Sequence, residues 1–107
     1  MKALRFYAPG DVRLEDVPEP TCGPREVKIK VKNCSTCGTD VKIRNNGHVN
    51  ITRVTTMGHE VAGEVVEVGA DARGGFAVGD RVQCIAAVPC GECHECRKGW
   101  MEVCQNQ

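Results

Sequence analysis

The sequence predicts a mainly β domain with short helices, and three observations support this. Short runs of alternating polarity fill the first third of the chain, Pro and Gly separate them, and valine is prominent among the apolar residues. The chain has 107 residues, which suits one domain with a single modest core. Its apolar content of 41% with few aromatic residues is typical of a folded chain rather than a disordered one.

The first strands are predicted where polar and apolar residues alternate, at 3–7, 12–15 and 26–32. In the third run Val27, Ile29 and Val31 share one face. Pro9-Gly10 and Gly23-Pro24 mark turns between the runs. We therefore expect a meander of short antiparallel strands.

A short helix is predicted at residues 39–44, with Thr39 or Asp40 as its cap, Cys37 just ahead of it and Asn45-Asn46-Gly47 at its end. Later strands are predicted at 61–68, where Gly63 marks a bulge or a close backbone approach, and from a turn at 78–82 to near residue 87. From Pro89 onward Cys, Gly and charged residues dominate, which indicates a lobe organised by metal rather than by apolar packing.

Charge and hydropathy exclude several classes of partner. Lys plus Arg equals Asp plus Glu, at 14 each, so no basic surface for nucleic acid is indicated. No apolar run approaches the roughly 18 residues of a membrane span, and the first residues meet charge too early for a secretion signal. We expect a cytoplasmic protein whose eight cysteines are reduced or bound to metal.

Four cysteines form the strongest local motif, with the spacing CxxCxxCx7C: Cys90, Cys93, Cys96 and Cys104. Four thiolates on short loops satisfy a tetrahedral zinc ion completely, so the predicted role is structural. Paired disulfides and an iron–sulfur cluster are the alternatives. Ferredoxin motifs place the next cysteine after three residues and follow it with proline, whereas this chain has seven residues and Gln105. Zinc is therefore the predicted metal.

A second group of metal-binding side chains is split between Cys37-Gly38-Thr39-Asp40 and Gly58-His59-Glu60. Cys and His together are the ligands used when zinc acts as a Lewis acid with an open position. A core thiol and a hydrogen-bonded structural histidine are the alternatives for this pair alone. Cys34 and Cys37 also form CxxC, the spacing of a redox pair, but the βαβ context of such pairs is missing.

Four segments in this order resemble zinc-dependent medium-chain alcohol dehydrogenases. Residues 58–69 resemble the family signature GHExxGx5G, and residues 37–40 resemble its CGTD segment. Residues 79–82 resemble its GDRV strand, and the four-cysteine lobe resembles its structural zinc loop. The resemblance covers essentially the whole chain and is to the N-terminal catalytic domain of the family.

The resemblance implies a GroES-like, partly open β-barrel with short helices and a zinc-organised lobe. It makes residues 1–107 one catalytic domain, with the structural zinc lobe at 89–104 and the nucleotide-binding domain absent. It makes Cys37 and His59 ligands of a catalytic zinc, and Glu60 an alternate ligand or a neighbour that balances charge. Thr39 takes the proton of the substrate hydroxyl while zinc polarises it and hydride leaves for NAD(P)⁺.

The implied activity is that of an NAD(P)-dependent dehydrogenase of a small alcohol, sugar or polyol, whose full-length form is a homo-oligomer. No GxGxxG turn occurs here, so we expect this fragment to be inactive alone. Many family members carry a relay histidine where this chain has Lys42, and His48 is a possible substitute. The rival interpretation is a stand-alone zinc-stabilised GroES-like module that binds a partner without catalysis.

Overall fold

Strands make up most of the regular structure in a computed structural model that describes residues 1–86 and 88–106. The strands are β1 Lys2–Ala8, β2 Asp11–Asp16, β3 Val27–Ser35, β4 Thr55–Thr56, β5 Glu60–Val68 and β6 Arg81–Gln83. The helices are α1 Gly38–Asn46, α2 His94–Arg97 and a 3₁₀ turn at Met101–Val103. The predicted mainly β class is confirmed. Among the described residues, no helix is both long and apolar enough to span a membrane.

The strands form two antiparallel sheets of three strands each, in the orders β2-β1-β4 and β3-β5-β6. The predicted meander is therefore wrong beyond its first hairpin, because β3 pairs with β5 rather than with β2. Alternating polarity identifies a strand but carries no information about its partner. The β3–β5 pairing matters most here, because it places Ser35 opposite Glu60 and so brings two distant segments together.

Gly63 lies in β5 where the backbone of β3 approaches closely, as the sequence predicts. A Cβ atom added at Gly63 would lie 2.5 Å from the carbonyl oxygen of Lys30. The register of the two strands shifts between Val31 and Asn33, next to this contact. These irregularities also break the predicted single face of β3, where Val31 is 54% exposed. A side chain at position 63 would push the two strands apart.

The buried core is small. Ala3 and Phe6 of β1 and Val65 of β5 are its aliphatic and aromatic members, and Val65 is fully buried. A cleft of about 990 Å³ lies between the sheets, lined by Leu4 of β1, Val31 of β3 and Val66 of β5 among others. The large aliphatic side chains on this cleft are partly exposed.

Helix α1 is longer than predicted and is capped by a different residue. Cys37 is the N-cap: its Sγ accepts from the N–H of Thr39, and Asp40 accepts from the N–H of Cys37. The predicted caps, Thr39 and Asp40, are therefore inside the helix. Its end is as predicted, because Gly47 adopts φ 76° and its N–H bonds to the carbonyl of Ile43.

The last strand is shorter than predicted. Strand β6 ends at Gln83, and the N–H of Cys84 makes the final bond, to the carbonyl of Val61. Ile85 is then 73% exposed, so the apolar run continues without a partner strand. The predicted end near residue 87 falls on a position outside the described residues. The lobe that follows contains α2 and the 3₁₀ turn, which the sequence analysis did not predict.

Candidate metal centres

The four cysteines of the C-terminal lobe converge on one point. All four Sγ atoms of Cys90, Cys93, Cys96 and Cys104 lie within 4.8 Å of one another. The Sγ atoms of Cys90 and Cys96 are 4.0 Å apart, and those of Cys93 and Cys104 are 3.9 Å apart. A tetrahedral zinc ion with Zn–S bonds of about 2.3 Å separates its thiolates by about 3.8 Å. The cluster therefore has the size and donor set of a four-thiolate metal site.

Local backbone geometry turns these thiols inward. Cys93 precedes the single turn of α2, Cys96 lies within it, and Cys104 follows the 3₁₀ turn. The N–H of Cys90 donates to Sγ of Cys104 at 3.3 Å, and the N–H of Cys93 donates to Sγ of Cys90 at 3.4 Å. All eight cysteines of the chain are free thiols, so the alternative of paired disulfides is not seen in this structure.

The pKa values of two cysteines in the cluster are shifted in opposite directions. Hydrogen bonds from the backbone N–H groups of Glu92 and Cys93 lower the pKa of Cys90 to about 6. Burial raises the pKa of Cys96 to about 12, and its hydrogen bond with the thiol of Cys93 adds to this effect. Four thiolates at this spacing repel one another unless a cation lies among them. The donor set therefore fits a divalent cation that prefers sulfur.

The second group contains Cys37, Asp40 and His59, whose donor atoms also lie within 4.8 Å of one another. Cys37 Sγ is 3.0 Å from Nε2 of His59, although the two residues are 22 positions apart in the chain. Asp40 Oδ1 lies 3.3 Å from Nδ1 of His59, and Oδ2 accepts from the N–H of Cys37 at 3.0 Å. A carboxylate on Nδ1 favours the tautomer whose Nε2 lone pair is free to bind a metal.

Two structural elements bring Cys37 and His59 together. Cys37 begins helix α1 directly after β3, and His59 lies directly before β5, the strand that pairs with β3. Gly58 has φ 104°, and a Cβ atom there would lie 2.7 Å from Sγ of Cys34. Glycine at this position therefore lets the chain pass Cys34 and present His59 to Cys37. The pairing depends on contacts between distant parts of the sequence.

The remaining predicted site residues lie outside both groups of donors. Glu60 is exposed at the first position of β5 and is not part of the group of three donors. Thr39 is exposed on α1 and, together with Lys42 and His48, lines a cleft of about 870 Å³ beside the first hairpin. Cys34 is exposed and does not belong to either group of donors.

Asp40 is a site residue that the sequence does not single out. Asp40 is the one buried charged residue of the described chain, with 8% of its surface exposed. Its position three residues after the helix cap is the acidic position of a capping box, which is a signal in the sequence. The contact of its carboxylate with His59 depends on the β3–β5 pairing and has no local signal.

Comparison with known proteins shows the family. Residues 23–107 match the model of the alcohol dehydrogenase GroES-like domain. The chain belongs to this family, and the predicted GroES-like fold is confirmed.

Relatives and solved structures agree with this assignment. The chain is 40% identical over 110 residues to L-threonine 3-dehydrogenase of Klebsiella pneumoniae subsp. pneumoniae, a match that covers 99% of this chain and 32% of the relative. It is similar to a zinc-binding dehydrogenase from Sinorhizobium meliloti 1021 bound to NADP, with TM-score 0.87 and 33% identity over 98% of this chain and 30% of that one. It is also similar to galactitol-1-phosphate dehydrogenase from Escherichia coli, with TM-score 0.82 and 30% identity over 98% of this chain and 30% of that one. The chain thus spans about a third of the length of these proteins.

Proposed function

We propose that this chain is the zinc-binding catalytic domain of an NAD(P)-dependent dehydrogenase of an alcohol, sugar or polyol. The proposal makes residues 1–107 one domain, with residues 89–104 as its structural zinc lobe. The observation that carries it is the distance of 3.0 Å between Sγ of Cys37 and Nε2 of His59, two residues that meet only through the fold. The nicotinamide cofactor would bind to a nucleotide-binding domain of the full-length protein.

The two metal sites differ in the number of ligands this chain supplies. Cys90, Cys93, Cys96 and Cys104 fill a tetrahedral site, which leaves no position for a substrate. Cys37 and His59 supply two ligands and leave room for a further protein ligand and for a substrate oxygen. We therefore propose a structural role for the first site and a catalytic role for the second. Glu60 remains a candidate alternate ligand.

Zinc bound at the second site would polarise the substrate hydroxyl and lower its pKa. Oδ1 of Asp40 lies 3.3 Å from Nδ1 of His59, and Oδ2 accepts from the N–H of Cys37, so Asp40 helps to orient both ligands before metal binds. Thr39 follows Cys37 by two residues, and in this proposal its hydroxyl takes the proton of the substrate. Its N–H donates to Sγ of Cys37 at 3.3 Å and so helps to fix the position of that ligand.

The alternative function is a zinc-stabilised module that binds a partner without catalysis. Such a module needs the four-cysteine lobe but gains nothing from a second, incompletely filled metal site. The assembled Cys37–Asp40–His59 group therefore favours the dehydrogenase. The names of the similar proteins, L-threonine 3-dehydrogenase and galactitol-1-phosphate dehydrogenase, support an alcohol as substrate.

Substitution of zinc by cobalt(II) tests this proposal. We expect the wild-type chain to show cobalt absorption from two sites, and we expect a small alcohol to shift only the bands that Cys37→Ser removes. The matched control is Cys34→Ser, which changes an exposed thiol outside both groups of donors. Cobalt absorption that Cys37→Ser leaves intact and alcohol does not shift would instead indicate the binding module.

A further inference from the structure

His59 lies where the chain passes from one sheet to the other. Strand β4 belongs to the sheet of β1 and β2, and strand β5 belongs to the sheet of β3 and β6. Residues 57–59 connect β4 to β5, and His59 is the last of them. A displacement of β4 therefore reaches this candidate zinc ligand through two intervening residues.

Strand β4 is a very short partner of β1. It has two residues, Thr55 and Thr56, which stand opposite Phe6 and Arg5. Directly after it, the N–H of Met57 donates to the carbonyl of Leu4 at 2.8 Å. A pairing of this length contains few backbone hydrogen bonds, so a side-chain bond across it has a larger share in holding β4 than it would have in a long strand.

Arg5 makes such a side-chain bond. Its Nη1 donates to Oγ1 of Thr56 at 2.9 Å, and the two residues are 51 positions apart in the chain. Its Nε is buried and has no hydrogen-bond partner among the described residues, so packing encloses the inner part of the guanidinium group. An arginine enclosed in this way loses less side-chain freedom on forming the bond than a fully exposed one does.

The neighbouring charges on the first hairpin have their own partners. Arg13 stands opposite Arg5 on β2, and like charges in such a pair repel one another. Arg13 donates to both carboxylate oxygens of Asp11, and its Cζ lies 4.2 Å from the centre of the Tyr7 ring. Within residues 1–86 and 88–106, the bond to Thr56 is the only side-chain hydrogen bond of Arg5. The guanidinium group of Arg5 is thus directed to β4.

Small displacements of a ligand change its affinity for metal. Sγ of Cys37 and Nε2 of His59 lie 3.0 Å apart, and a metal site needs ligand distances that are correct to about 0.2 Å. Gly58, between Met57 and His59, has φ 104° and no side chain through which packing could fix it. The position of the backbone before His59 therefore depends on how firmly β4 is anchored.

We propose that Arg5 is a positioning residue for the candidate catalytic zinc. Through Thr56 it anchors β4 to the first hairpin and so holds His59 in place for the metal. The inference rests on the proposed function, because it takes Cys37 and His59 to be zinc ligands. Arg5 acts through Thr56 and does not itself bind the metal.

Cobalt(II) titration of the variants Arg5→Met and Thr56→Val tests the inference. Valine has nearly the shape of threonine but lacks the hydroxyl group. We expect each variant to lower cobalt affinity at the Cys37–His59 site about three- to tenfold, which is less than the loss expected for a residue in direct contact with a ligand. The four-cysteine site of the same sample should keep its affinity. The double variant should lose no more than the larger single loss, because both changes remove one bond.

Two control variants separate this bond from general effects on the hairpin. Thr56→Ser keeps the hydroxyl group and should bind cobalt as the wild type does. Tyr7→Phe removes a hydrogen bond to Glu15 within the same hairpin and should leave both sites unchanged. A purely structural role of Arg5 would lower the free energy of unfolding and leave the ratio of the two cobalt affinities as it is in the wild type.

The inference is overturned if Arg5→Met and Thr56→Val bind cobalt at Cys37 and His59 as the wild type does, if both metal sites weaken equally, or if Thr56→Ser weakens the site as much as Thr56→Val. The NMR signals of the His59 ring in the metal-free chain separate this failure from failure of the proposed function. A wild-type chain that binds no metal at Cys37 and His59 contradicts the proposed function. The inference about His59 is then supported if Thr56→Val, but not Thr56→Ser, shifts these ring signals, and it is overturned if neither variant does.

Discussion

Asp40 is the residue on which the geometry of the candidate catalytic site depends most. Its two carboxylate oxygens have different partners: Oδ2 accepts from the N–H of Cys37, and Oδ1 lies 3.3 Å from Nδ1 of His59. It therefore couples the start of helix α1 to a residue that lies before β5. Such a carboxylate orients a metal ligand and fixes its tautomer.

The first prediction concerns Asp40→Asn. The amide is neutral and has one acceptor oxygen instead of two, so either the hydrogen bond from the N–H of Cys37 or the carboxylate contact with His59 is lost. We expect affinity for metal at the Cys37–His59 site to fall about 10- to 100-fold, with little change at the four-cysteine site. A competition titration with a chelator measures both affinities.

The control for this variant is Asp71→Asn, which changes an exposed acidic residue whose side chain makes no hydrogen bond in the described structure. It should bind both metal ions as the wild type does. Unchanged affinity at the second site in Asp40→Asn would show that Asp40 does not position His59.

The second prediction is a pH effect on the first hairpin. Arg13 donates to both carboxylate oxygens of Asp11, at 2.8 Å and 2.7 Å, and so holds the pKa of Asp11 below its ordinary value of 3.8. Because this folded-state pKa is lowered, the stabilisation is present above pH 3.8 and is lost as the pH falls through the folded-state pKa. In Arg13→Gln we expect the Asp11 pKa, followed by NMR, to rise towards 3.8. An unchanged value would mean that the pair does not persist in solution.

Individual site residues differ in how far the sequence alone predicts them. Cys90, Cys93, Cys96 and Cys104 lie within fifteen positions, so their spacing alone predicts convergence, and the structure brings the thiols together. Cys37 and His59 are 22 positions apart, and the sequence connects them only through a family resemblance. The contact of Asp40 with His59 has no local signal, because it requires the pairing of two distant strands.

Strand β5 and helix α1 are the elements that position the candidate catalytic site. The sequence predicts both, within one or two residues at most ends, and the Gly47 stop signal gives the end of α1. It does not predict the β3–β5 pairing, because polarity patterns specify a strand and not its neighbour. The predicted β6 is too long, because the apolar residues after Gln83 have no partner strand.

The third prediction concerns the close approach of β3 and β5. Gly63→Ala places a methyl group 2.5 Å from the carbonyl oxygen of Lys30, so one strand has to shift. We expect the free energy of unfolding of the zinc-loaded chain to fall by roughly 1–3 kcal/mol in urea denaturation.

The matched control is Gly38→Ala in the first turn of α1. A Cβ atom there meets nothing within 4 Å, and alanine favours the helix. The free energy of unfolding of this variant should equal that of the wild type or exceed it by up to about 1 kcal/mol. Equal losses in both variants would show that the effect at Gly63 is not the strand contact.

The whole molecule consists of two small sheets that share an apolar core and a lobe that has no aliphatic core. The sheets bury Ala3, Phe6 and Val65, whereas Cys96 and Cys104 are the only buried apolar residues of the described lobe. We therefore expect this lobe, which has no aliphatic core, to depend on bound metal for its fold. Composition predicts this division, because Cys, Gly and charged residues replace valine after Pro89.

The fourth prediction is that removal of metal unfolds the lobe before the sheets. With chelator present, we expect amide exchange to accelerate at Arg97, Gly99 and Cys104, whose N–H groups bond within the lobe. Amides of the β3–β5 pair should keep their protection. Equal acceleration in both regions would indicate that the chain unfolds as one unit and that the lobe is not held separately by metal.

Zinc content per chain tests whether one domain holds two metal sites of different kinds. Elemental analysis of protein purified without chelator should give about two zinc ions per wild-type chain and about one in Cys37→Ser, with Cys90→Ser losing the zinc of the lobe. One zinc ion in the wild type, unaffected by Cys37→Ser, would contradict the second site and the dehydrogenase assignment built on it. Iron, or no metal at all, would contradict both sites.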